Sequence, residues 1–201
     1  DLLQKAKAGD AQAQFKLAAV YLTGRGGPKN DDEAAKWFML AAKQGHAESQ
    51  ANIGLMYGRG RGVPQSDEEA VKWYRLSAEQ GDIDGMFNLA VMYDDGRGIA
   101  ENQEEAVRLY RLGVAQNHVS SQSNLGYMYD HGRGVAQDSK EAFKWYMIAA
   151  EQGDANSQFN VGSMYALGRG VKQSWPQAYF WALLAARDGE KDSAKQQEII
   201  A

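Results

Sequence analysis

The feature that most limits how this chain can fold is a motif that recurs every 36 residues. Self-similarity with a period of about 20–50 residues is the signature of a solenoid, a propeller or another array of repeats. The period is clearest in one column of tyrosines, which contains Tyr21, Tyr57, Tyr93, Tyr129 and Tyr165. Glycine-arginine-glycine triplets keep the same spacing and are centred on Arg25, Arg61, Arg97, Arg133 and Arg169. The chain is therefore expected to fold as stacked copies of one small unit.

The repeat also predicts the domain organisation. Copies that need their neighbours to bury their apolar faces form one elongated domain with a continuous core, here residues 1–201. The predicted full repeats are 9–44, 45–80, 81–116, 117–152 and 153–188, with partial repeats at 1–8 and 189–201. Because Gly189 aligns with the first residue of a repeat, a sixth copy is expected to begin there. We expect both ends to lie within repeats, with any export signal or membrane anchor outside this sequence.

Composition narrows the classes of function. The net charge of −4 does not provide the concentrated basic face that phosphate binding needs, so nucleic acid is not an expected partner. The chain contains no cysteine, which excludes disulfides and thiolate metal sites. It has no apolar run of the length needed to cross a bilayer, so no transmembrane segment is predicted. No cofactor and no metal ion are expected.

Each copy predicts two antiparallel helices. In the first helix, Ser49, Ile53 and Met56 lie on one apolar face at helical spacing. One column on this face holds only small residues, which we expect to let two helices approach closely: Ala18, Gly54, Ala90, Gly126 and Gly162.

The second helix has clear start and stop signals. Its predicted N-caps are Asn30, Ser66, Asn102, Asp138 and Ser174. Three residues later each copy has Glu or Gln, which predicts a capping box whose acid or amide bonds back to the N–H of the cap. The helix is predicted to end at a residue that accepts the left-handed conformation, namely Gly45, Gly81, Asn117, Gly153 or Gly189.

Together these motifs resemble the Sel1-like repeat family, a relative of the tetratricopeptide fold. The resemblance rests on the 36-residue period, the Gly153-Asp154-Ala155 entry, the core from Ile53 to Tyr57, the Gly-x-Gly-Val turn and the Trp73-Tyr74 pair. It implies an all-α, right-handed superhelical α-solenoid of helix-turn-helix repeats, whose first helices line a concave groove. It further implies a bacterial scaffold or adaptor that binds a protein or peptide, and no enzyme activity.

No residue pattern predicts an active site. His46 and His118 occupy equivalent positions two repeats apart, and His131 lies alone in a turn, so no metal site is expected. No HExxH motif, phosphate loop or nucleophile elbow is present. Two alternatives to an adaptor stay open. One is binding or hydrolysis of β-lactams, with which a cysteine-rich branch of the family is associated, although this chain lacks those cysteines. The other is a self-associating structural module.

The arginine and tryptophan columns are interpreted as structural. Identical placement in every copy favours arginines that tie each turn to the adjacent repeat over arginines that bind an anionic ligand. The tryptophans lie on the same helical stripe as a recurring alanine and are expected in the core: Trp37, Trp73, Trp145 and Trp181.

The candidate partner-binding residues lie on the other face of the first helices. One column contains Asn52, Asn88, Asn124 and Asn160. Their amides suit an extended peptide backbone, but hydrogen bonds that set the stacking of repeats are an equal alternative. Neighbouring columns contain the apolar candidates Phe15, Phe87, Phe159, Leu55 and Tyr127. These are interpreted as anchors for a ligand or as packing between successive first helices.

Charge suggests the chemistry of the ligand. Acidic residues of the predicted groove include Asp84, Asp94 and Asp130, whereas lysines and arginines of the second helices are expected on the convex side. We therefore expect a basic or donor-rich protein or peptide as the ligand. A monomer is expected in preference to an oligomer. The resemblance implies an exported bacterial protein, with a cytoplasmic location left open.

Overall fold

The computed structural model describes residues 1–25 and 27–200, with side chains described as far as residue 189. Over this part of the chain every regular element is a helix. Ten of the helices alternate along the chain as the first and second helices of the five predicted repeats. The described chain is thus an all-α helical repeat fold of the solenoid type, as the sequence predicts.

The described chain divides into two compact units, Asp1–Asn102 and Gln103–Ala201. The helices of unit 1 are α1 (Leu2–Lys7), α2 (Ala11–Thr23), α3 (Asp31–Lys43), α4 (Ala47–Arg59), α5 (Asp67–Glu79) and α6 (Ile83–Asp95). Within it, α2 packs on α3 and α4 on α5, and each hairpin packs on the next through α3–α4 and α5–α6. Its core combines small, aromatic and larger aliphatic or thioether residues, including Ala18, Ala34, Phe38, Ile53 and Met56.

Unit 2 repeats the arrangement. Its helices are α7 (Gln103–Ala115), α8 (Val119–His131), α9 (Ser139–Glu151), α10 (Ala155–Leu167) and α11 (Trp175–Ile200). Successive helices pack on one another from α7 to α11. The core of this unit contains Ala142, Tyr146, Val161, Met164 and Trp181.

Small residues in the first helices allow the close packing that the sequence predicts. A Cβ atom added at Gly54 would lie 2.7 Å from Cε1 of Tyr74, and one at Gly126 would lie 2.8 Å from Cδ1 of Tyr146. Atoms cannot approach this closely, so the tyrosine of the second helix occupies the space that a side chain would need.

The start of the second helix is only half a capping box. Asn30, Ser66 and Asp138 each accept a hydrogen bond from the N–H three residues later, as predicted. The predicted return bond is wrong, because the N–H of each cap donates to a tyrosine carbonyl of the preceding helix; that of Ser66, for example, bonds to the Tyr57 oxygen at 3.0 Å. The glutamate is thereby free to pair along its own helix, as Glu69 does with Lys72.

The predicted ends of the second helices are confirmed in all copies except one. Gly45, Gly81 and Gly153 have φ values of 88°, 85° and 92°, and Asn117 has φ 59°. The predicted end at Gly189 is wrong, because α11 continues through this residue to Ile200. The physical reason lies in the next position. The helices that restart after such a turn have Asp or His as their N-cap, for example Asp154, whereas residue 190 is Glu, which is not a preferred capping residue.

The tryptophan column is interior, although its members differ in depth. Trp37 and Trp181 are buried, and Trp73 and Trp145 are half-buried. The indole N–H of Trp37 donates to Glu33, whereas those of Trp73 and Trp145 have no hydrogen-bond partner among the described residues. The expected structural role of this column is confirmed.

Candidate partner-binding surface

Two of the turn arginines in unit 1, Arg61 and Arg97, bind acids of the preceding repeat. Arg61 donates from Nε to Oδ2 of Asp31 at 3.0 Å and from Nη2 to Oδ1 at 2.8 Å. Arg97 repeats this two-pronged contact with Asp67 at 3.2 and 2.7 Å. The hydrogen bond from Arg61 lowers the pKa of the Asp31 carboxyl below its ordinary value, against the opposing effect of burial. These guanidinium groups join repeats and are not available to a ligand, as the sequence analysis favours.

In unit 2 the same type of arginine uses a different acid. Ser139 stands where Asp31 and Asp67 stand in unit 1 and offers no carboxylate. Arg169 instead donates from Nη2 to both carboxylate oxygens of Asp130, at 2.9 and 2.7 Å. Asp130 is buried, and Arg169 binds both of its carboxylate oxygens. We therefore leave this predicted contact residue out of the candidate surface.

The asparagine column is half-buried, and most of its amide groups are engaged within the chain. The side-chain N–H groups of Asn52 and Asn88 donate to the carbonyls of Glu48 and Asp84, one turn earlier in the same helix, at 2.7 and 2.8 Å. That of Asn124 donates instead to the hydroxyl of Tyr110 in α7 at 3.0 Å, which joins two repeats.

The apolar candidates of unit 1 are partly withdrawn from solvent. Phe15 lies against Phe38, with ring centroids 5.8 Å apart, and against His46 at 5.0 Å. Leu55 and Phe87 are half-buried. Among the acidic candidates of α6, Asp84 is exposed and Asp94 is half-buried.

In unit 2 the corresponding face is more open. Phe159 is 64% exposed and Tyr127 is 41% exposed. The ring of Tyr127 stacks on that of His131 with centroids 4.1 Å apart, at a 32° tilt. Phe15 packs on Phe38, whereas Ala182 of α11 has the position equivalent to Phe38 in the last hairpin, so no aromatic ring stands there opposite Phe159. One column of the sequence thus contains a packed ring in unit 1 and a free one in unit 2.

The two helices that carry these rings contact each other. The Ser157 hydroxyl of α10 lies 2.8 Å from that of Ser123 in α8, and Ser123 also donates to Asp154, the N-cap of α10. We define the α8–α10 surface as Asn124, Tyr127, Phe159 and Asn160. It contains two exposed aromatic rings and two half-buried amides on adjoining helices of one unit.

Sequence reasoning missed a set of buried glutamines. Gln50 donates to the carbonyl of Ala42 at 3.1 Å and accepts a hydrogen bond of 2.7 Å from Gln80 of the next second helix. Gln14 makes the same pair of contacts with Ala6 and Gln44. The 36-residue spacing of these glutamines was a visible signal for an inter-repeat contact. The sequence analysis also does not predict the role of His46. This residue caps α4, because its Nδ1 accepts a hydrogen bond from the Ser49 N–H.

A second exposed apolar stripe lies on α11 and was likewise missed. Trp175, Tyr179 and Leu183 are exposed and follow one another at four-residue intervals, which places them on one side of the helix. We refer to these three residues as the α11 stripe.

The described side chains contain no group of three His, Asp or Glu placed to hold a metal ion. Of the helices as described, none combines the length and the apolar character that a bilayer crossing requires.

Comparison with known proteins gives a consistent family match. The family model described as the Sel1 repeat matches residues 11–46, 47–82, 83–118, 119–154 and 155–190. These matches begin at the first helix of each hairpin. No curated protein matches the chain at a significant level.

Several solved structures are similar. A protective antigen present in uropathogenic Escherichia coli strains, which displays an SLR fold, is 38% identical with a TM-score of 0.87. The match covers 94% of this chain and 40% of the antigen, so the chain spans less than half of that relative. A Sel1 repeat protein from Oxalobacter formigenes is 30% identical with a TM-score of 0.85, over 94% of this chain and 81% of its own. An immunity protein from Pseudomonas aeruginosa shares the fold at 19% identity and a TM-score of 0.61, over 92% and 68% of the two chains.

Proposed function

Because the chain belongs to the Sel1 repeat family, whose members are in general protein-interaction scaffolds, we propose that it is an adaptor that binds a peptide segment of a partner protein. The binding surface we propose is the α8–α10 surface. Its action is to hold a partner in place, and no bond of the ligand is altered.

The exposure of Phe159 is the observation that carries this proposal. A phenylalanine residue that is 64% exposed leaves apolar area in water that binding would remove. Aromatic side chains are enriched among the residues that dominate binding energy at protein interfaces. Tyr127 adds a second ring on the adjoining helix, held in place by its stacking on His131.

The amides suit the backbone of such a ligand. Asn160 makes no hydrogen bond with a described side chain or backbone group, so its donors and its acceptor are available to an extended peptide. Asn124 uses an amide hydrogen on Tyr110 but keeps its carbonyl oxygen as an acceptor. The helices that carry these groups are already formed, so little further ordering would be needed on binding.

The acidic residues of α6 concern the first-helix face of unit 1, which is not part of the α8–α10 surface. Asp84 and Asp94 belong to the first-helix face of unit 1 and make it acidic. A peptide bound to this face of unit 1 would be favoured if it were basic or donor-rich.

A selection experiment tests the proposal. A library of random dodecapeptides would be panned on the folded chain, and the affinity of enriched peptides measured by fluorescence anisotropy. Phe159→Ala and Tyr127→Ala should each weaken binding about fivefold or more, the effect of about 1 kcal/mol. Leu112 on the second helix α7 provides the control, because it is 40% exposed, like Tyr127. If Leu112→Ala weakens binding as much as Tyr127→Ala does, the proposed surface is wrong.

A further inference from the structure

Unit 1 contains a cavity of about 420 Å³ beside α5 and the turn that follows α6. Its apolar part is formed by Val71, Leu76 and Ile99, and Gly98 contributes backbone. Its charged part is formed by Glu68, Lys72 and Arg75. The volume lies within the range of about 300–1,000 Å³ that is usual for small-ligand sites.

An exchange of methionine for arginine lies at this cavity. The residue at the position of Arg75 is Met39 in the first hairpin and Met147 in the fourth. It is again arginine in the third, where Arg111 donates to the hydroxyl of Tyr129 at 3.0 Å. Met39 packs against the core of unit 1, as does Val63, which aligns with Ile99. In unit 2, Met147 and Val171 pack against the core in the same way. Burying a charged guanidinium against apolar residues in place of the thioether costs free energy. At Arg75 the space between α5 and the turn after α6 is therefore not filled by the side chain.

The charges at the rim are not equivalent. Lys72 pairs with Glu69, with Nζ 2.5 Å from Oε1, and Glu68 accepts a hydrogen bond of 3.1 Å from the Ser66 hydroxyl. Arg75 is exposed and forms no hydrogen bond or ion pair within the described part of the chain. Of the two cations that line this cavity, Lys72 is paired and Arg75 is not. Glu68 also lines the cavity, and its carboxylate disfavours a negatively charged group of the ligand close to it.

We propose that this cavity binds an acidic peptide segment of a protein partner, through an apolar side chain next to a carboxylate. The apolar side chain takes the place that Met39 and Met147 occupy in the other hairpins. The carboxylate accepts the paired N–H donors of Arg75, the geometry that a guanidinium group offers best. This site lies on a second helix and is separate from the α8–α10 surface, so either proposal can fail without the other.

The probe is N-acetylmethionine, which joins a thioether side chain to a carboxylate, and the matched control probe is N-acetylmethioninamide, which lacks the charge. Both would be titrated into the isotopically labelled chain and followed by amide chemical shifts. We expect saturable shifts at Leu76, Gly98 and Ile99, and an affinity for the amide at least fivefold weaker. Equal affinities for the two probes, or no saturable shift with the acid, would overturn the proposal.

Two variants at one position separate the apolar and the ionic contributions. Arg75→Met should fill the cavity from within, abolish probe binding and leave the melting temperature unchanged or higher. Arg75→Gln should keep the cavity but weaken binding of the acid at least fivefold, to the level of the amide. Probe binding that survives Arg75→Met at wild-type affinity would contradict the assignment of the site.

Discussion

Arg61 donates two hydrogen bonds, of 3.0 and 2.8 Å, to the carboxylate of Asp31 across the boundary between two repeats. The carboxylate belongs to the first turn of α3 and the guanidinium to the turn after α4. Each side chain is about one third exposed, so solvent screens the pair in part. Arg97 and Asp67 make the same contact one repeat further along the chain, so it is a recurring link between repeats.

The first prediction concerns this link. Arg61→Gln should lower the free energy of unfolding by about 0.5–1 kcal/mol at pH 6, the range for a partly exposed ion pair. Since the pKa of Asp31 is lowered in the fold, the stabilisation is present above its unfolded pKa of about 3.8 and is lost as the pH falls through the folded value. The free energies of unfolding of the two proteins, from urea titrations at pH 6 and at successively lower pH below 3.8, should therefore converge as the pH falls. A difference that persists undiminished in acid would contradict the ionic origin.

The second prediction concerns the glycine that lets the two repeats approach. Gly62 has φ 66°, and a Cβ there would lie 2.1 Å from the carbonyl oxygen of Asp31. Gly62→Ala should therefore lower the free energy of unfolding by about 1–2 kcal/mol for the left-handed backbone conformation, and further through the clash with the Asp31 backbone.

Gly81 provides the matched control for this change. It has φ 85°, but a Cβ there would meet nothing within 4 Å, so Gly81→Ala should cost the conformational term alone. Thermal melting of the two variants measures the difference. Equal losses would show that the approach to Asp31 adds no constraint.

The third prediction concerns alkaline stability. Burial of Tyr74 raises its pKa to about 12 from 10.0. The neutral phenol therefore stabilises the fold fully below pH 10, and this contribution is lost as the pH rises from about 10 to 12. Relative to the wild type, Tyr74→Phe should gain about 1 kcal/mol between pH 8 and pH 11, since one pKa unit corresponds to about 1.4 kcal/mol. Urea midpoints at the two pH values test this, and a parallel loss in both proteins would refute it.

Much of the fold could be predicted from the repeat alone, because each column of the repeat has the same local task. A small residue at Gly54 and a cap at Ser66 follow from packing and backbone geometry that every hairpin shares. The return bond of the capping box could not be predicted in this way. The N–H of the cap donates instead to the Tyr57 carbonyl, which belongs to another helix and is not indicated by the local sequence pattern.

The candidate site could be predicted only in outline for a related reason. Phe15 and Phe159 have equivalent places in the sequence, but the residue opposite differs, being Phe38 in one hairpin and Ala182 in another. Similarly, the sequence predicts Asp130 to be a surface acid. It binds Arg169 instead, because Ser139 replaces the aspartate that pairs with the equivalent arginines of unit 1. Such exchanges between repeats, rather than the repeated residues, distinguish the candidate surface from the scaffold.

The most direct test of the account is the footprint of a selected peptide on the labelled chain, measured by amide chemical shifts at saturation. We predict that the largest changes fall at Tyr127, Phe159 and Asn160, and that Phe159→Ala weakens binding about fivefold or more while leaving the melting temperature unchanged. Changes centred on the α11 stripe, with the α8–α10 surface unaffected, would contradict the proposed binding surface.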